Sequence, residues 1–217
     1  VIHIGYPHNF TIYDTDDSKT LLRSIIKEMD LDDKVYRTNV VLVRISSVKN
    51  RLVNAQDYAN NPIYQAEDEN MRKPHMGKIF LKYTNRCFKA GAMDFDDLLL
   101  KTHQLFFQFP ELLQRYQEHF RYILIDEFQD TNLVQYAIVK DLAALHGNIC
   151  VVGDDAQSIY AFRGADIRNI LHFKQDYPTL NITKLEQNYR STQHIVKAAN
   201  SIIHHNKSQL KKEVWTQ

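Results

Sequence analysis

Two short apolar segments of the sequence each end in acidic residues. Asp126 and Glu127 follow the apolar run at 122–125, and a Gly-Asp-Asp segment at 153–155 follows a second run at 149–152. The carboxyl ends of parallel strands form the edge of the sheet where α/β proteins bind ligands. A strand followed by Asp-Glu is typical of nucleotide hydrolases, in which the first carboxylate holds Mg²⁺ and the second takes a proton from the attacking water. Taken alone, the pair is equally consistent with a capped turn at a strand end.

A further acidic group lies earlier in the chain, at Asp94, Asp96 and Asp97. Three carboxylates within four positions could bind a metal ion. However, they stand directly before Leu98, Leu99 and Leu100, and acidic residues at the start of a helix complement the helix dipole. The structural interpretation, a helix start, is therefore favoured over a metal site.

The first part of the sequence predicts mainly helices. Residues 9–13 read as a short extended segment, and the acids at 14–17 predict the cap of an amphipathic helix. The Ser-Lys-Thr at 18–20 resembles the end of a phosphate-binding loop, but acids precede it where glycines are needed, so it is assigned to this helix. Residues 37–53 predict another helix, with a strand as the alternative. The spacing at 63–89 is helical, with candidate core residues Tyr64, Met71, Ile79, Phe80, Tyr83 and Phe88.

After Gly91 the pattern becomes that of an α/β protein. The apolar run at 122–125, a helical stretch at 133–145 and the run at 149–152 predict a strand–helix–strand unit, the arrangement that parallel sheets require. Both strands are apolar throughout, which predicts burial on both faces. The other predicted elements are a third strand at 182–185 and helices at 95–108, 110–119 and 192–205.

The composition is that of a globular protein. Of 217 residues, 44% are hydrophobic and 24% charged, which excludes disordered and fibrous classes. The formal net charge is only +1, so affinity for nucleic acid would need a local surface or stacking side chains. Cys87 and Cys150 have no metal-ligand spacing and are predicted to be reduced, buried and structural. No apolar run of 18 residues and no leader occur, which predicts a cytoplasmic protein without membrane contact. Because the first residue is Val1, we expect a piece of a longer protein.

Three long segments of the sequence resemble motifs of one family. Residues 124–132 (LIDEFQDTN) resemble motif II of superfamily 1 DNA helicases of the UvrD, PcrA and Rep type. Residues 152–165 (VGDDAQSIYAFRGA) are similar to their motif III, and residues 185–191 (LEQNYRS) to their motif IV. Residues 94–99 (DFDDLL) match a segment that these helicases carry just upstream. The order and spacing of the motifs are those of the family, and the resemblance covers nearly the whole chain.

The resemblance implies a nucleotide site that binds ATP and Mg²⁺. Asp126 would be the magnesium ligand and Glu127 the catalytic base. Gln157 would lie near the γ-phosphate and couple its presence to the DNA site. Tyr189 would stack on the adenine, and Arg190 would reach the γ-phosphate as an arginine finger, where a planar and permanently charged guanidinium suits the charge of the transition state.

The resemblance also implies a site for single-stranded DNA. Tyr160 and Phe162 occupy positions that the family uses to stack on bases, a contact that ignores sequence because every base has a π face. Many relatives have Trp in place of Phe162, and the smaller ring should stack less strongly. Arg163 is assigned to the DNA or coupling surface, with a salt bridge to a nearby Asp as the alternative. Lys207, Lys211 and Lys212 could contact phosphates, but a solvated face is favoured for them.

The family further implies the domain organisation. Residues 1–13 would end the first part of RecA-like domain 1A, a P-loop NTPase fold in which helices flank a parallel sheet. Residues 14–90 would form the inserted helical subdomain 1B, residues 91–180 would complete domain 1A, and residues 181–217 would begin domain 2A. The family's Gly-Lys-Thr or Gly-Lys-Ser phosphate loop does not occur in these residues. We therefore expect that this polypeptide alone neither hydrolyses ATP nor unwinds DNA.

The intact protein is predicted to translocate on single-stranded DNA and to unwind duplex DNA. The 3′ to 5′ direction, a role in repair or replication, and still unidentified repair or replication protein partners come from the resemblance alone. One alternative is the motor of a recombination helicase-nuclease, which would need a downstream nuclease domain. The other is a DNA-binding paralogue without turnover, which a degenerate phosphate loop would reveal.

Overall fold

The computed structural model describes residues 1–206, 209–210 and 212–217, and for Arg163 it describes the backbone without the side chain. The predictions for Lys207, Lys211 and the Arg163 side chain lie outside this described part. The chain divides into two compact units. The first consists of Val1–Ile123 and Leu133–Asn148, and the second of Leu124–Asn132 and Ile149–Gln217. The chain contains many helices and two short two-stranded sheets, so the fold class is mixed α/β.

The first unit is mainly helical. The prediction of helix rather than strand at 37–53 is confirmed, as are the helices predicted at 95–108 and 110–119. A short helix also forms in the polar stretch after Asn54, whose side chain accepts hydrogen bonds from two backbone N–H groups of the first turn. In chain order the elements are β1 (Thr11–Tyr13), α1 (Thr15–Glu28), α2 (Thr38–Lys49), α3 (Ala55–Asn60), α4 (Pro62–Asn70), α5 (Met76–Lys89), β2 (Ala92–Asp94), α6 (Phe95–Gln108), α7 (Pro110–His119) and α8 (Leu133–Ala143).

Helix α1 begins with a capping box. The Asp14 side chain accepts from the N–H groups of Asp16 and Asp17 at 2.8 and 2.9 Å. In return, the Asp17 carboxylate accepts from the Asp14 N–H at 3.2 Å. The Ser-Lys-Thr segment at 18–20 therefore lies inside α1, which confirms that it is part of a helix and not of a phosphate-binding loop.

The core of the first unit lies between α1, α2, α3 and α5. Of the predicted core residues, Ile79, Phe80 and Tyr83 are buried, and Tyr64 packs against the core from its rim. Met71 and Phe88 are exposed, so their prediction was wrong. The helical pattern at 63–89 is broken after Asn70, which leaves Met71 outside a helix. The buried residues of this core are Leu22, Ile25, Ile26, Tyr36, Val41, Ile45, Val48, Ala55, Tyr58, Met76, Ile79, Phe80, Tyr83 and Cys87.

The strands β1 and β2 pair in parallel and lead directly into α6. The register places Thr11 opposite Ala92 and Tyr13 opposite Asp94. Asp94 is both the last residue of β2 and the N-cap of α6, where it forms a second capping box with Asp97. The helix-start interpretation of these acids is confirmed.

The second unit carries the strand pair that precedes the acidic segments. Strand β3 (Ile123–Ile125) begins at the end of the first unit and continues into the second, where β4 (Ile149–Val151) lies. Ile123 N–H donates to the Asn148 carbonyl and Val152 N–H to the Ile125 carbonyl, so the pairing advances in the same direction along both strands and is parallel. The unit also contains α9 (Arg168–Asp176) and α10 (Gln193–Ile203).

Three predictions about strands were wrong: two concern the burial of β3 and β4, and one concerns a third strand at 182–185. Leu124 is 77% exposed and Cys150 is also exposed, because side chains alternate along a strand and only the neighbouring positions face the half-buried side of this pair. The strands are thus not buried on both faces, and Cys150 is not a buried thiol. Residues 182–185 form no strand. Backbone pairing in that region starts only at Gln187, which forms an isolated bridge with Trp215.

Within the described part of the chain, none of the helices combines the length and the apolar character that crossing a membrane requires.

Candidate nucleotide and DNA site

The acids that follow β3 stand on a sharp turn. Glu127 has a left-handed backbone, with φ 49° and ψ 44°, a region that residues with a Cβ atom rarely adopt. Its N–H donates to Asp126 Oδ1 at 2.9 Å. A 3-10 turn, Phe128–Asp130, follows at once. Buried Phe128 anchors this turn by packing edge-on against Phe173, with ring centroids 5.2 Å apart. Both carboxylates are left at the surface.

A buried glutamine connects this turn to the segment after β4. The Gln129 amide nitrogen donates to Glu127 Oε2 at 2.8 Å. Its amide oxygen accepts from the Asp154 N–H at 2.9 Å. The backbone carbonyl of Gln129 accepts from Ser158 Oγ at 3.3 Å. Gln129 was not among the residues singled out from the sequence, although it lies within the segment at 124–132.

Asp154 organises the segment after β4. Its carboxylate accepts from the Ala156 N–H at 3.0 Å and from the Gln157 side-chain amide at 2.9 Å. Lys212 forms an ion pair with Asp154 and lies 3.6 Å from Asp155. Burial alone would raise the pKa of Asp154, but the bonds from Lys212 and Gln157 outweigh it and lower that pKa. Lys212 is therefore a half-buried partner of two carboxylates, and its prediction as part of a solvated face was wrong.

The two aromatic rings lie at the surface beyond this segment. Tyr160 is 37% exposed and Phe162 is 76% exposed. Their centroids are 5.9 Å apart and their planes are tilted by 39°. Phe162 belongs to a 3-10 turn that ends at Gly164, which has a left-handed backbone with φ 89°. The rings are thus presented to solvent, as a stacking role requires, and are not sealed in a core.

The segment at 185–191 is held by its own turn. Asn188 Oδ1 accepts from the N–H groups of Arg190 and Ser191 at 2.9 and 2.8 Å. The Tyr189 hydroxyl donates to Gln187 Oε1 at 2.7 Å, while its ring is exposed. This arrangement fixes the backbone and leaves the side chains of Tyr189 and Arg190 at the surface.

The structure places the predicted site residues in one compact unit. Asp126, Glu127, Gln157, Tyr160, Phe162, Tyr189 and Arg190 all belong to the second unit. A hydrogen-bonded path runs from Glu127 through Gln129 and Asp154 to Gln157. The described contacts of Tyr189 and Arg190 are with their own segment.

The acids at the start of α6 have a different environment. Lys49, which is 1% exposed, lies 2.7 Å from both Asp94 Oδ2 and Asp97 Oδ1. The Tyr83 hydroxyl also donates to Asp94, at 2.9 Å. Among the described residues there is no cluster of three or more His, Cys, Asp or Glu side chains suited to a metal ion. These acids form a buried ion-pair network.

Comparison with known proteins identifies the family. Residues 2–178 match the UvrD/REP helicase N-terminal domain, so the chain belongs to this family of helicase domains. Among its relatives are proteins named ATP-dependent DNA helicase PcrA. Those of Leuconostoc citreum and Bacillus subtilis are 42% identical over 214 residues, which are 99% of this chain and 28% of each relative. That of Staphylococcus aureus is 42% identical over 213 residues. The chain thus spans little more than a quarter of the length of these relatives.

Proposed function

We propose that these residues are part of the motor of an ATP-dependent DNA helicase. The intact protein would translocate on single-stranded DNA, in the 3′ to 5′ direction, and unwind duplex DNA in repair or replication. The observation that carries this proposal is that the acids at 126–127 and the rings of Tyr160 and Phe162 belong to one compact unit and are all accessible. The names of the relatives support the same activity.

The proposed domain organisation follows the family. We assign residues 1–13 and 91–180 to RecA-like domain 1A, residues 14–90 to helical subdomain 1B and residues 181–217 to the start of domain 2A. A hydrophobic core cluster of buried residues runs from Leu22 to Cys87, within the proposed subdomain 1B. A helical region with its own core supports its assignment as a separate subdomain.

Asp126 is the proposed ligand for Mg²⁺ bound with ATP. Mg²⁺ in nucleotide sites is held by one or two carboxylates together with phosphate oxygens and water. An exposed carboxylate at the carboxyl end of a parallel strand fits this need, and a cage of several protein ligands is not required. When bound, the ion would stabilise the charge that develops on the phosphate oxygens.

The other nucleotide residues act on water and phosphate. Glu127 would accept the proton of the attacking water, and its accessible carboxylate is suited to that role. The Gln157 amide, held by Asp154, would contact the γ-phosphate region. Tyr189 would stack on the base of the nucleotide, and Arg190 would place its guanidinium against the γ-phosphate when the two RecA-like domains close.

The proposed DNA surface comprises Tyr160, Phe162 and Arg163. An exposed pair of rings offers stacking to any base, at roughly 1 to 3 kcal/mol for each base. Such contacts suit a motor that must pass over every sequence. Domain closure on ATP would move bases past the rings, and reopening would reset the grip. Because a phosphate loop does not occur in these 217 residues, we propose that this polypeptide alone gives no steady turnover.

The test is ATP hydrolysis by the full-length helicase to which we assign these residues. Phosphate release should require both Mg²⁺ and single-stranded DNA. Glu127→Gln should lower kcat by about 100-fold or more, because a positioned general base contributes a factor of about 10² to 10⁴.

The matched control is Glu118→Gln, which makes the same change at an exposed residue of α7. It should leave turnover at the wild-type level. Wild-type protein without DNA-stimulated hydrolysis, or a Glu127→Gln variant with unchanged turnover, would contradict the proposed function.

A further inference from the structure

We propose that Gln129 is a positioning residue that fixes the Glu127 carboxylate to the segment at 153–158, and thereby ties the proposed catalytic base to the segment that leads to the aromatic rings. This inference rests on the proposed function. It assigns to Gln129 the task of holding Glu127, without contact with nucleotide or DNA.

The hydrogen bonds of the Gln129 amide leave it a single orientation. The Asp154 N–H can only donate, so it must face the amide oxygen. The amide nitrogen then faces Glu127 Oε2, which can accept. The side chain is 1% exposed, so water does not compete for either bond. If the amide were turned over, its nitrogen would face the Asp154 N–H, which is also a donor. Its oxygen would then face the Glu127 carboxylate, which is also an acceptor.

The position of the Gln129 amide requires a glycine at residue 153. A Cβ atom on Gly153 would lie 2.7 Å from Gln129 Oε1 and 3.1 Å from Ile170 Cδ1. No side chain can occupy position 153 while Gln129 keeps its place. The backbone φ of Gly153 is not in the left-handed region, so the close approach of Gln129, and not backbone freedom, requires the glycine here.

A neutral donor suits a carboxylate that must act as a base. The left-handed backbone at Glu127 directs its side chain, and the Gln129 amide then fixes the carboxylate at one oxygen. A lysine or arginine in this position would pair with the charge that the base needs for proton transfer. An amide orients the group and adds no net charge.

Gln129 also holds the far end of the same segment. Its carbonyl accepts from Ser158 Oγ at 3.3 Å, two residues before Tyr160. One residue therefore contacts Glu127, Asp154 and Ser158. A displacement of the segment when bases slide past the rings would be transmitted to the Glu127 carboxylate through Gln129.

The test compares variants of the full-length helicase by steady-state ATP hydrolysis with saturating single-stranded DNA. Gln129→Leu keeps the size and removes both side-chain bonds. We expect kcat to fall roughly 100-fold, since misplacing a positioned group by about 1 Å has an effect of that order. The KM for ATP and the affinity for a labelled oligonucleotide should change by less than about threefold, because no binding contact is lost. The matched control is Gln114→Leu, which removes a Gln–Glu hydrogen bond on the surface of α7 and should leave kcat unchanged.

Two further variants separate positioning from general destabilisation. Gln129→Met keeps the length of the side chain and places no charge beside Glu127, but it removes the donor to Glu127, so it should lose kcat while the KM for ATP and the oligonucleotide affinity stay within about threefold of the wild type. Gly153→Ala should reproduce the loss of kcat with Gln129 still present, because the new methyl group displaces the amide.

The outcomes distinguish the two proposals. Wild-type protein without DNA-stimulated turnover overturns the proposed function, and this inference with it. Active wild type with normal kcat in Gln129→Leu or Gln129→Met overturns this inference alone. It is also overturned if kcat, nucleotide affinity and DNA affinity fall together with the melting temperature in Gln129→Met, because Gln129 would then only support the fold.

Discussion

Two acidic groups in this protein contain the same kinds of side chain and have opposite environments. Asp94 and Asp97 are buried at the start of α6, next to the Lys49 ammonium. Asp126 and Glu127 stand at the surface after β3, and their described hydrogen bonds come from neutral donors, the Glu127 N–H and the Gln129 amide. The first group is held by a charge. The second is held in place by neutral hydrogen-bond donors, as the proposed roles in binding Mg²⁺ and accepting a proton would require.

The electrostatics of the buried group follow from its position. Burial raises the pKa of Asp97, while at Asp94 the Lys49 ammonium outweighs burial and lowers the pKa. Burial works against the ammonium form of Lys49, but the two carboxylates outweigh it and raise its pKa. Each charge is tolerated only because the others are present. Acidic clusters with similar spacing in sequence can thus differ in burial and in the cations beside them, and the spacing alone does not reveal which environment a cluster has.

The largest expected effect is on stability, at Lys49. Lys49→Met leaves Asp94 and Asp97 buried without their cation, so the free energy of unfolding should fall by about 3 to 5 kcal/mol. Urea unfolding followed by circular dichroism measures this change. Lys82→Met, which removes an exposed ion pair with Glu28, is the matched control and should shift the transition far less. Equal shifts for the two variants would remove the distinction between buried and exposed acids.

A smaller effect is expected on DNA affinity when Phe162, an exposed residue in the same unit as Asp126 and Glu127, is replaced. Phe162→Ala should weaken binding of a single-stranded oligonucleotide by about 1 to 3 kcal/mol, because one stacking platform is lost. Phe162→Trp should strengthen binding through its larger ring. Fluorescence anisotropy with a labelled oligonucleotide measures both changes. Phe107→Ala, at another highly exposed phenylalanine, is the control, and an equal loss of affinity there would speak against a specific platform.

The smallest expected effect is a difference in the rate at which the thiols of Cys87 and Cys150 react with a maleimide. Burial, together with the nearby Asp97, raises the pKa of Cys87 to about 12, so the thiol stays protonated in the folded protein at pH 8. A maleimide should therefore modify exposed Cys150 first and Cys87 only on unfolding, as mass spectrometry would show. Because the folded pKa is raised, the contribution of Cys87 to stability is complete below its ordinary pKa and is lost as the pH rises toward 12. Rapid modification of Cys87 in the native protein at pH 8 would contradict its burial.

Local sequence signals predicted most of the secondary structure. Capping acids at Asp14 and Asp94 mark helix starts by short-range hydrogen bonding, which a sequence displays directly. Burial was predicted less well. Leu124 and Cys150 lie in apolar strands, but whether a second layer covers a face depends on other parts of a fold, which the strand's own residues do not encode.

The candidate site shows the same limit. Motif resemblance identified Asp126, Glu127 and the two rings, and the roles assigned to them remain predictions. Gln129 lies in the same motif, but its task depends on a partner segment some 25 residues further along the chain. Lys212 was predicted to be solvated, and its partner Asp154 lies too far away in sequence for the local pattern to reveal the ion pair. Contacts across such separations are set by the packing of the chain.

The backbone of Glu127 creates a conflict between folding and chemistry at one position. A left-handed residue with a Cβ atom is disfavoured by roughly 1 to 2 kcal/mol, and glycine would relieve most of this strain. Selection for a more stable protein would therefore favour replacing the very residue that we propose as the base. Keeping glutamate there means that this turn is less stable than it could be, and descendants freed from the need to hydrolyse nucleotide would be expected to drift toward glycine or asparagine at this site.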